Sequence, residues 1–89
     1  MTSIERRSLV FVTKANCPVC EKGRRLVGRY TGRFGVAVED VDIASSIALA
    51  EEFGGRVPVL LGVGHKVLAE GRLTPFAVQR ALLRARLGL

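Results

Sequence analysis

The chain has 89 residues, of which 48% are hydrophobic and none is tryptophan, and its formal net charge is +6 at neutral pH. This length fits a single small domain, residues 1–89, and the apolar share excludes an intrinsically disordered segment. No apolar run approaches the ~20 residues that cross a bilayer, so we expect no association with a membrane.

The charge and the amino-terminal residues indicate the compartment and the class of partner. Residues Met1–Arg7 are polar and lack the layout of a secretory signal. We therefore expect a cytoplasmic protein, in which two cysteines serve transient chemistry more often than structural cross-linking. The arginines are scattered, aromatic residues are few, and no nucleic-acid-binding motif accompanies them. The basic charge favours a solvated surface that attracts acidic partners over nucleic acid binding.

The first predicted strand is the nearly continuous apolar run Ser8–Thr13, which is typical of a strand buried on both faces. A helix is predicted from Pro18 to about Tyr30, because its apolar residues fall on one face and proline suits a first turn. Gly32 and Gly35 bracket the turn that is predicted next.

The second predicted strand, Val36–Asp42, carries acidic residues near its end. Ser45 or Ser46 is predicted to cap a short helix that runs to about Phe53. Gly54-Gly55 is predicted to end this helix by supplying the left-handed conformation of a carboxyl-terminal cap.

The last third of the chain predicts a hairpin and a helix. Val57–Gly62 reads as the third strand, Gly62–Lys66 as a turn and Val67–Ala69 as the returning strand. Thr74 and Pro75 start the final helix, with the cap and the proline in the usual order. The order β-α-β-α-β-β-α predicts an α/β fold: a parallel strand pair, then a hairpin, in a small mixed sheet with helices on both faces.

The only two cysteines form the motif Cys17-Pro18-Val19-Cys20, between the first predicted strand and the first predicted helix. A helix N-terminus carries about half a positive charge and free N–H groups, so it stabilises a thiolate. The i, i+3 spacing brings the second sulfur onto the same helix face. Such placement lowers the pKa of the first cysteine from ~8.5 to ~3.5–7.5. The motif therefore predicts a redox-active pair.

Other interpretations of this pair stay open. Tetrahedral zinc needs four ligands, and only His65 adds a third soft one, so we expect no metal site within one subunit. A structural disulfide across so few residues constrains the unfolded chain little. Two buried, inert cysteines are the remaining alternative. His65 itself is interpreted as an exposed turn residue, and Asp40 and Asp42 as strand-end or capping residues.

The element order, the C-P-x-C motif and Val57-Pro58 before the hairpin together resemble the glutaredoxin branch of the thioredoxin fold, over nearly the whole chain. The short bacterial glutaredoxin-like proteins are the most similar group. The resemblance implies a thioredoxin fold, with a four-stranded mixed sheet flanked by three helices. It also implies a cis Val57–Pro58 peptide bond that faces the two sulfurs, with the backbone of Val57 free to pair with an extended substrate.

The resemblance further implies substrate-binding residues. Lys14 is similar to the family's lysine before the motif, whose charge favours a thiolate or binds a carboxylate. The stretch Ala69–Thr74 keeps only Gly71 of the step that captures glutathione in the family, and no aspartate follows it. The electron donor thus stays open between glutathione, another low-molecular-weight thiol and thioredoxin reductase. We expect no bound cofactor, and Pro18 disfavours an iron–sulfur role because it stiffens the position after Cys17.

The functional hypothesis is a monomeric thiol–disulfide oxidoreductase that acts on a disulfide-containing protein or a small-thiol substrate. Cys17 attacks as the nucleophile, and Cys20 resolves the mixed disulfide. The alternative is a non-enzymatic redox-sensing or partner-binding module, because a fold alone does not guarantee an activity.

Overall fold

The computed structural model describes residues 8–89, and the predicted polar segment Met1–Arg7 lies outside them. In chain order its strands and helices are β1 (Ser8–Thr13), α1 (Pro18–Phe34), β2 (Ala37–Asp42), α2 (Ile47–Phe53), β3 (Val59–Leu61), β4 (Val67–Glu70) and α3 (Pro75–Leu87). Short 3-10 turns at Ile43–Ser45 and Val63–His65 precede α2 and β4. The predicted order β-α-β-α-β-β-α is confirmed. Within the described residues, no helix has the length and apolar character needed to cross a membrane.

The four strands form one sheet in the order β2-β1-β3-β4. β1 and β2 are parallel, as expected for two strands joined by a helical crossover. β3 is antiparallel to both β1 and β4, with Val12 opposite Val59 and an irregularity between Leu60 and Leu61. The sheet is therefore mixed, and the predicted α/β architecture with three helices is confirmed.

The core lies on both faces of this sheet. The α1 and α3 helices cover one face, where the side chains of Leu9 and Phe11 point from β1. α2 covers the other face, where Phe53 packs against Val12 and Val59. Successive strand residues point to opposite faces, which explains why β1 is apolar almost throughout. The sequence thus specifies a three-layer arrangement in which α1 is fixed over the middle of the sheet.

Two helix ends differ from the predictions. α1 continues to Phe34 because Gly32 stays helical, and the left-handed cap is Gly35 alone, with φ of 64°. The predicted left-handed end of α2 is wrong. Gly54 has φ of −53° and ψ of −35°, and its N–H donates to Ala50 O at 2.9 Å, so it prolongs the helical hydrogen bonding.

The strand and cap boundaries are also corrected. β3 starts at Val59, not at Val57, because Pro58 has no N–H to donate to a neighbouring strand. It ends before Gly62, whose N–H already donates to Lys66 O at 2.8 Å within the turn. Of the two candidate caps, Ser46 accepts the N–H of Leu49 at 3.2 Å.

The glycines of α1 provide a test of this packing. A Cβ on Gly28 would meet no atom outside its own helix within 4 Å. Since glycine in a helix interior costs ~0.5–1 kcal/mol relative to alanine, we expect Gly28→Ala to raise the free energy of unfolding by about that amount in urea titrations. Gly23→Ala should gain less, because its Cβ would lie 3.0 Å from Leu73 Cδ1. An equal gain at both positions would contradict the close packing of α1.

Candidate active site

Cys17 lies at the junction between β1 and α1. A loop of residues 14–16 joins the two elements and ends at Asn16, whose φ of 56° is left-handed, a conformation that asparagine adopts more readily than most residues. Cys17 is extended and is the N-cap residue of α1, with Pro18 in the first turn. Because the N-terminal end of a helix is electropositive, this position favours a negatively charged sulfur.

The two sulfurs differ in their surroundings. Cys17 and Cys20 form a disulfide, with their Cα atoms 5.2 Å apart. The backbone N–H of Cys20 donates to Cys17 Sγ at 3.2 Å, so this sulfur takes the place of the usual capping oxygen. Cys17 is 9% exposed, beside a shallow depression that Asn16 and Glu21 also line, whereas Cys20 is 0% exposed. Within this pair, only Cys17 keeps any exposure to solvent.

Pro58 lies beneath the same helix. The Val57–Pro58 peptide bond is cis, and Pro58 is fully buried. A Cβ on Gly23 would lie 3.4 Å from Pro58 Cγ and 3.6 Å from Phe11 Cε1, so the bare glycine lets α1 approach the sheet closely. Gly23 follows Cys20 by three residues and therefore shares its helix face. The fold thus places Pro58 about one helical turn from Cys20.

Gly71 is attached to this proline segment. With φ of 73°, it donates its N–H to Pro58 O at 2.8 Å and to Arg56 O at 3.2 Å. Val57 lies between these two carbonyls and makes no backbone hydrogen bond within residues 8–89. Its side chain packs against the core under α2, on the opposite face from α1. The structure therefore brings Val57, Pro58 and Gly71 together, and it leaves the backbone of Val57 open to an added strand.

Lys14 is not brought into contact with these groups. Its side chain is exposed, and it makes no ion pair or hydrogen bond within the described part of the chain. Its role toward the Cys17 sulfur or a bound carboxylate stays a prediction.

Asp40, Asp42 and His65 have other positions. Asp40 pairs with Arg24 on α1, and the side chain of Asp42 accepts the N–H of Ala44 at 2.8 Å, as a capping residue does. His65 is exposed in the turn before β4. Among residues 8–89, no three His, Cys, Asp or Glu side chains come together as metal ligands would.

A groove beside the cysteines was missed by sequence reasoning. We call it the cationic groove; it is lined by Val19, Lys22, Gly23, Arg72 and Leu73. Lys22 and Arg72 are exposed and have no acidic partner within residues 8–89. Val19, Lys22 and Gly23 lie three and four residues apart, so they share one side of α1, but Lys22 was predicted to lie off the apolar stripe that holds Val19 and Gly23. The segment that packs opposite them depends on tertiary structure and leaves no local signal.

Comparisons with known proteins bear on the family and the fold. The family model "Glutaredoxin-like domain (DUF836)" matches residues 8–88. Twelve chains of solved structures match. One of them, "Structure of a malarial protein", is 18% identical, covers 90% of this chain and 96% of its own, and has a TM-score of 0.60. That similarity shows a shared fold alone, and no curated protein matches. Since the family model spans nearly all of the described residues, the chain belongs to the glutaredoxin-like domain family of thioredoxin-fold proteins.

Proposed function

We propose that this chain is a thiol–disulfide oxidoreductase in which Cys17 is the nucleophile and Cys20 the resolving thiol. The observation that supports this most is the hydrogen bond from the Cys20 N–H to Cys17 Sγ, 3.2 Å long, at the start of α1. In the reduced protein this donor and the helix dipole both favour the thiolate of Cys17, and the thiolate is the form that attacks a disulfide. The greater exposure of Cys17 supports its role as the group that attacks first.

The reaction transfers two electrons from the Cys17–Cys20 dithiol to one substrate disulfide. The Cys17 thiolate attacks one sulfur of the substrate, the substrate S–S bond breaks, and the second substrate sulfur leaves as a thiolate that takes up a proton. Cys20 loses its proton and attacks Cys17 Sγ, which breaks the mixed disulfide and releases the second substrate thiol. The protein is left with the Cys17–Cys20 disulfide and returns to the dithiol when another thiol donor supplies two electrons.

The proline segment gives this reaction a binding surface. Hydrogen bonds from Gly71 fix the carbonyls on either side of Val57, while the N–H and C=O of Val57 itself are unused. An extended peptide that pairs with Val57 would lie next to Pro58 in the chain, near the turn of α1 that carries the cysteines. We propose that Val57, Pro58 and Gly71 hold the substrate chain while Cys17 reacts, and that the exposed charge of Lys14 attracts an acidic group of the substrate.

The assay that tests the proposal follows NADPH oxidation with a disulfide substrate in two arms. One arm contains glutathione and glutathione reductase, and the other contains thioredoxin reductase alone. Turnover in either arm, dependent on Cys17, supports the oxidoreductase and identifies its electron donor. Absence of turnover in both arms, and with other low-molecular-weight thiols, would leave the redox-sensing or partner-binding module as the function.

The cationic groove predicts a preference for anionic substrates. We expect the double variant Lys22→Glu, Arg72→Glu to lower kcat/KM for oxidised glutathione by about tenfold. Charge reversal removes the electrostatic attraction between the groove and the anionic substrate as the two associate. Activity on the cationic disulfide cystamine should not fall. The double variant Arg29→Glu, Arg80→Glu changes the net charge equally at exposed positions outside the groove, so it is the matched control and should leave both substrates unaffected. Equal losses for both disulfides would contradict an electrostatic role.

A further inference from the structure

A buried hydroxyl lies near the cysteines and has no partner. Thr13, the last residue of β1, is 6% exposed, and its Oγ1 makes no hydrogen bond within residues 8–89. Buried polar groups are nearly always hydrogen-bonded, because losing water without gaining a partner costs free energy. An isosteric valine would avoid this cost in a strand that is otherwise apolar. We therefore expect the Thr13 hydroxyl to have a hydrogen-bond partner in another state of the protein.

The sheet register places Thr13 under the start of α1. Residues two apart on a strand point to the same face, so Thr13 shares the face of Phe11, whose ring approaches α1 at Gly23. The β1–β3 register, with Val12 opposite Val59, sets Thr13 beside Pro58. Pro58 itself touches the Gly23 position of α1.

Cys20 is the residue of α1 that lies over this part of the sheet. It precedes Gly23 by three residues, shares its sheet-facing side and is 0% exposed. α1 starts directly after β1 and runs back over the sheet, so moving from Gly23 toward Cys20 means moving from Phe11 toward Thr13. The buried hydroxyl and Cys20 thus lie on the two facing sides of the α1–sheet interface, at the same end of α1.

We propose that Thr13 is a positioning residue whose hydroxyl hydrogen-bonds to the Cys20 sulfur in the dithiol form of the protein; this rests on the proposed redox function. In the disulfide, Cys20 Sγ has no proton to donate, and Thr13 Oγ1 makes no hydrogen bond to it. Two-electron reduction breaks the S–S bond and leaves Cys20 as a thiol, which donates to Oγ1, or as a thiolate, which accepts from it. The bond exists only after reduction, so it stabilises the dithiol relative to the disulfide.

The test is the redox equilibrium of the pair in glutathione buffers, followed by counting free thiols. Thr13→Val keeps the shape and removes the hydroxyl, and Thr13→Ser keeps the hydroxyl. We expect Thr13→Val to shift the equilibrium constant about tenfold toward the disulfide, or about 30 mV toward a more negative potential for a two-electron couple. Thr13→Ser should stay near wild type, and Thr13→Ala should repeat the valine result if valine is poorly accommodated.

A second readout separates this role from packing. Cys20 attacks the mixed disulfide at Cys17 as a thiolate. The pH midpoint of the rate of this step should be higher in Thr13→Val, because the Cys20 thiolate has lost a hydrogen-bond donor. An unchanged potential in Thr13→Val and Thr13→Ala, or an equal shift in Thr13→Ser, would overturn the proposal. Thiol counting needs no turnover, so a shifted potential in a protein without activity would refute the oxidoreductase and not the role of Thr13.

Discussion

Replacing Cys17 by serine is expected to remove essentially all disulfide reductase turnover, by ~10³-fold or more. A hydroxyl at the N-cap of α1 still caps the helix, so the fold should persist while the nucleophile is lost. Steady-state NADPH oxidation with the coupled reductases measures the loss. A variant that keeps full activity would show that Cys17 is not the attacking group.

Cys20→Ser is the matched control, and its expected result differs in kind. The variant keeps the Cys17 nucleophile and lacks the thiol that releases the substrate, so a mixed disulfide at Cys17 should accumulate. Intact-mass spectrometry after incubation with a protein disulfide would show an adduct of the substrate's mass on Cys20→Ser and none on Cys17→Ser. Adducts on Cys17→Ser alone would reverse the assignment of the two cysteines.

Phe11→Ala is expected to lower the free energy of unfolding by ~3–5 kcal/mol, the usual cost of truncating a buried phenylalanine. Phe11 is 1% exposed in the core between the sheet and α1, and the guanidinium of Arg24 lies 5.4 Å from its ring centre. That loss is a large part of the 5–15 kcal/mol that stabilises an ordinary domain. Urea titration followed by circular dichroism measures it.

Phe53→Ala tests whether a loss of turnover comes from lower stability or from a change at the candidate site. Phe53 is 2% exposed on the other face of the sheet, under α2, so its truncation should destabilise the protein to a similar extent. Under conditions in which both variants are folded, Phe11→Ala should also reduce disulfide turnover, because its ring supports α1 beside Gly23 and Pro58. If Phe53→Ala reduced turnover as strongly, the face under α1 would have no special part in the reaction.

The fold was predictable from sequence because its signals are local and repeated. The apolar run of β1, the stripe of α1 and the proline at the start of α3 each specify an element without reference to the rest of the chain. The wrong predictions concern positions whose conformation depends on a contact with another residue. Gly54 stays right-handed since its N–H reaches Ala50 O, and a glycine by itself indicates only that the left-handed form is allowed.

The candidate site was predictable only in part. Cys17 and Cys20 are detected by their spacing, whereas the proximity of Pro58 and Gly71 was inferred from the family resemblance and not from the residues alone. Arg72 and Thr13 were missed as site residues. Arg72 faces the groove only because the segment before α3 packs against α1, and the isolation of the Thr13 hydroxyl depends on the register between β1 and β3.

The most direct test of Cys17 as an activated nucleophile is a single-turnover measurement of the pre-reduced protein against a chromogenic aryl disulfide, as a function of pH. We expect reduction of one disulfide per protein, with the pH midpoint of the rate below the ~8.5 of a free thiol. Near pH ~6 the protein should react about tenfold faster than free cysteine, since the gain in thiolate outweighs the lower nucleophilicity of a weaker base. A midpoint near ~8.5, with rates no greater than those of free cysteine, would contradict an activated Cys17 and with it the proposed function.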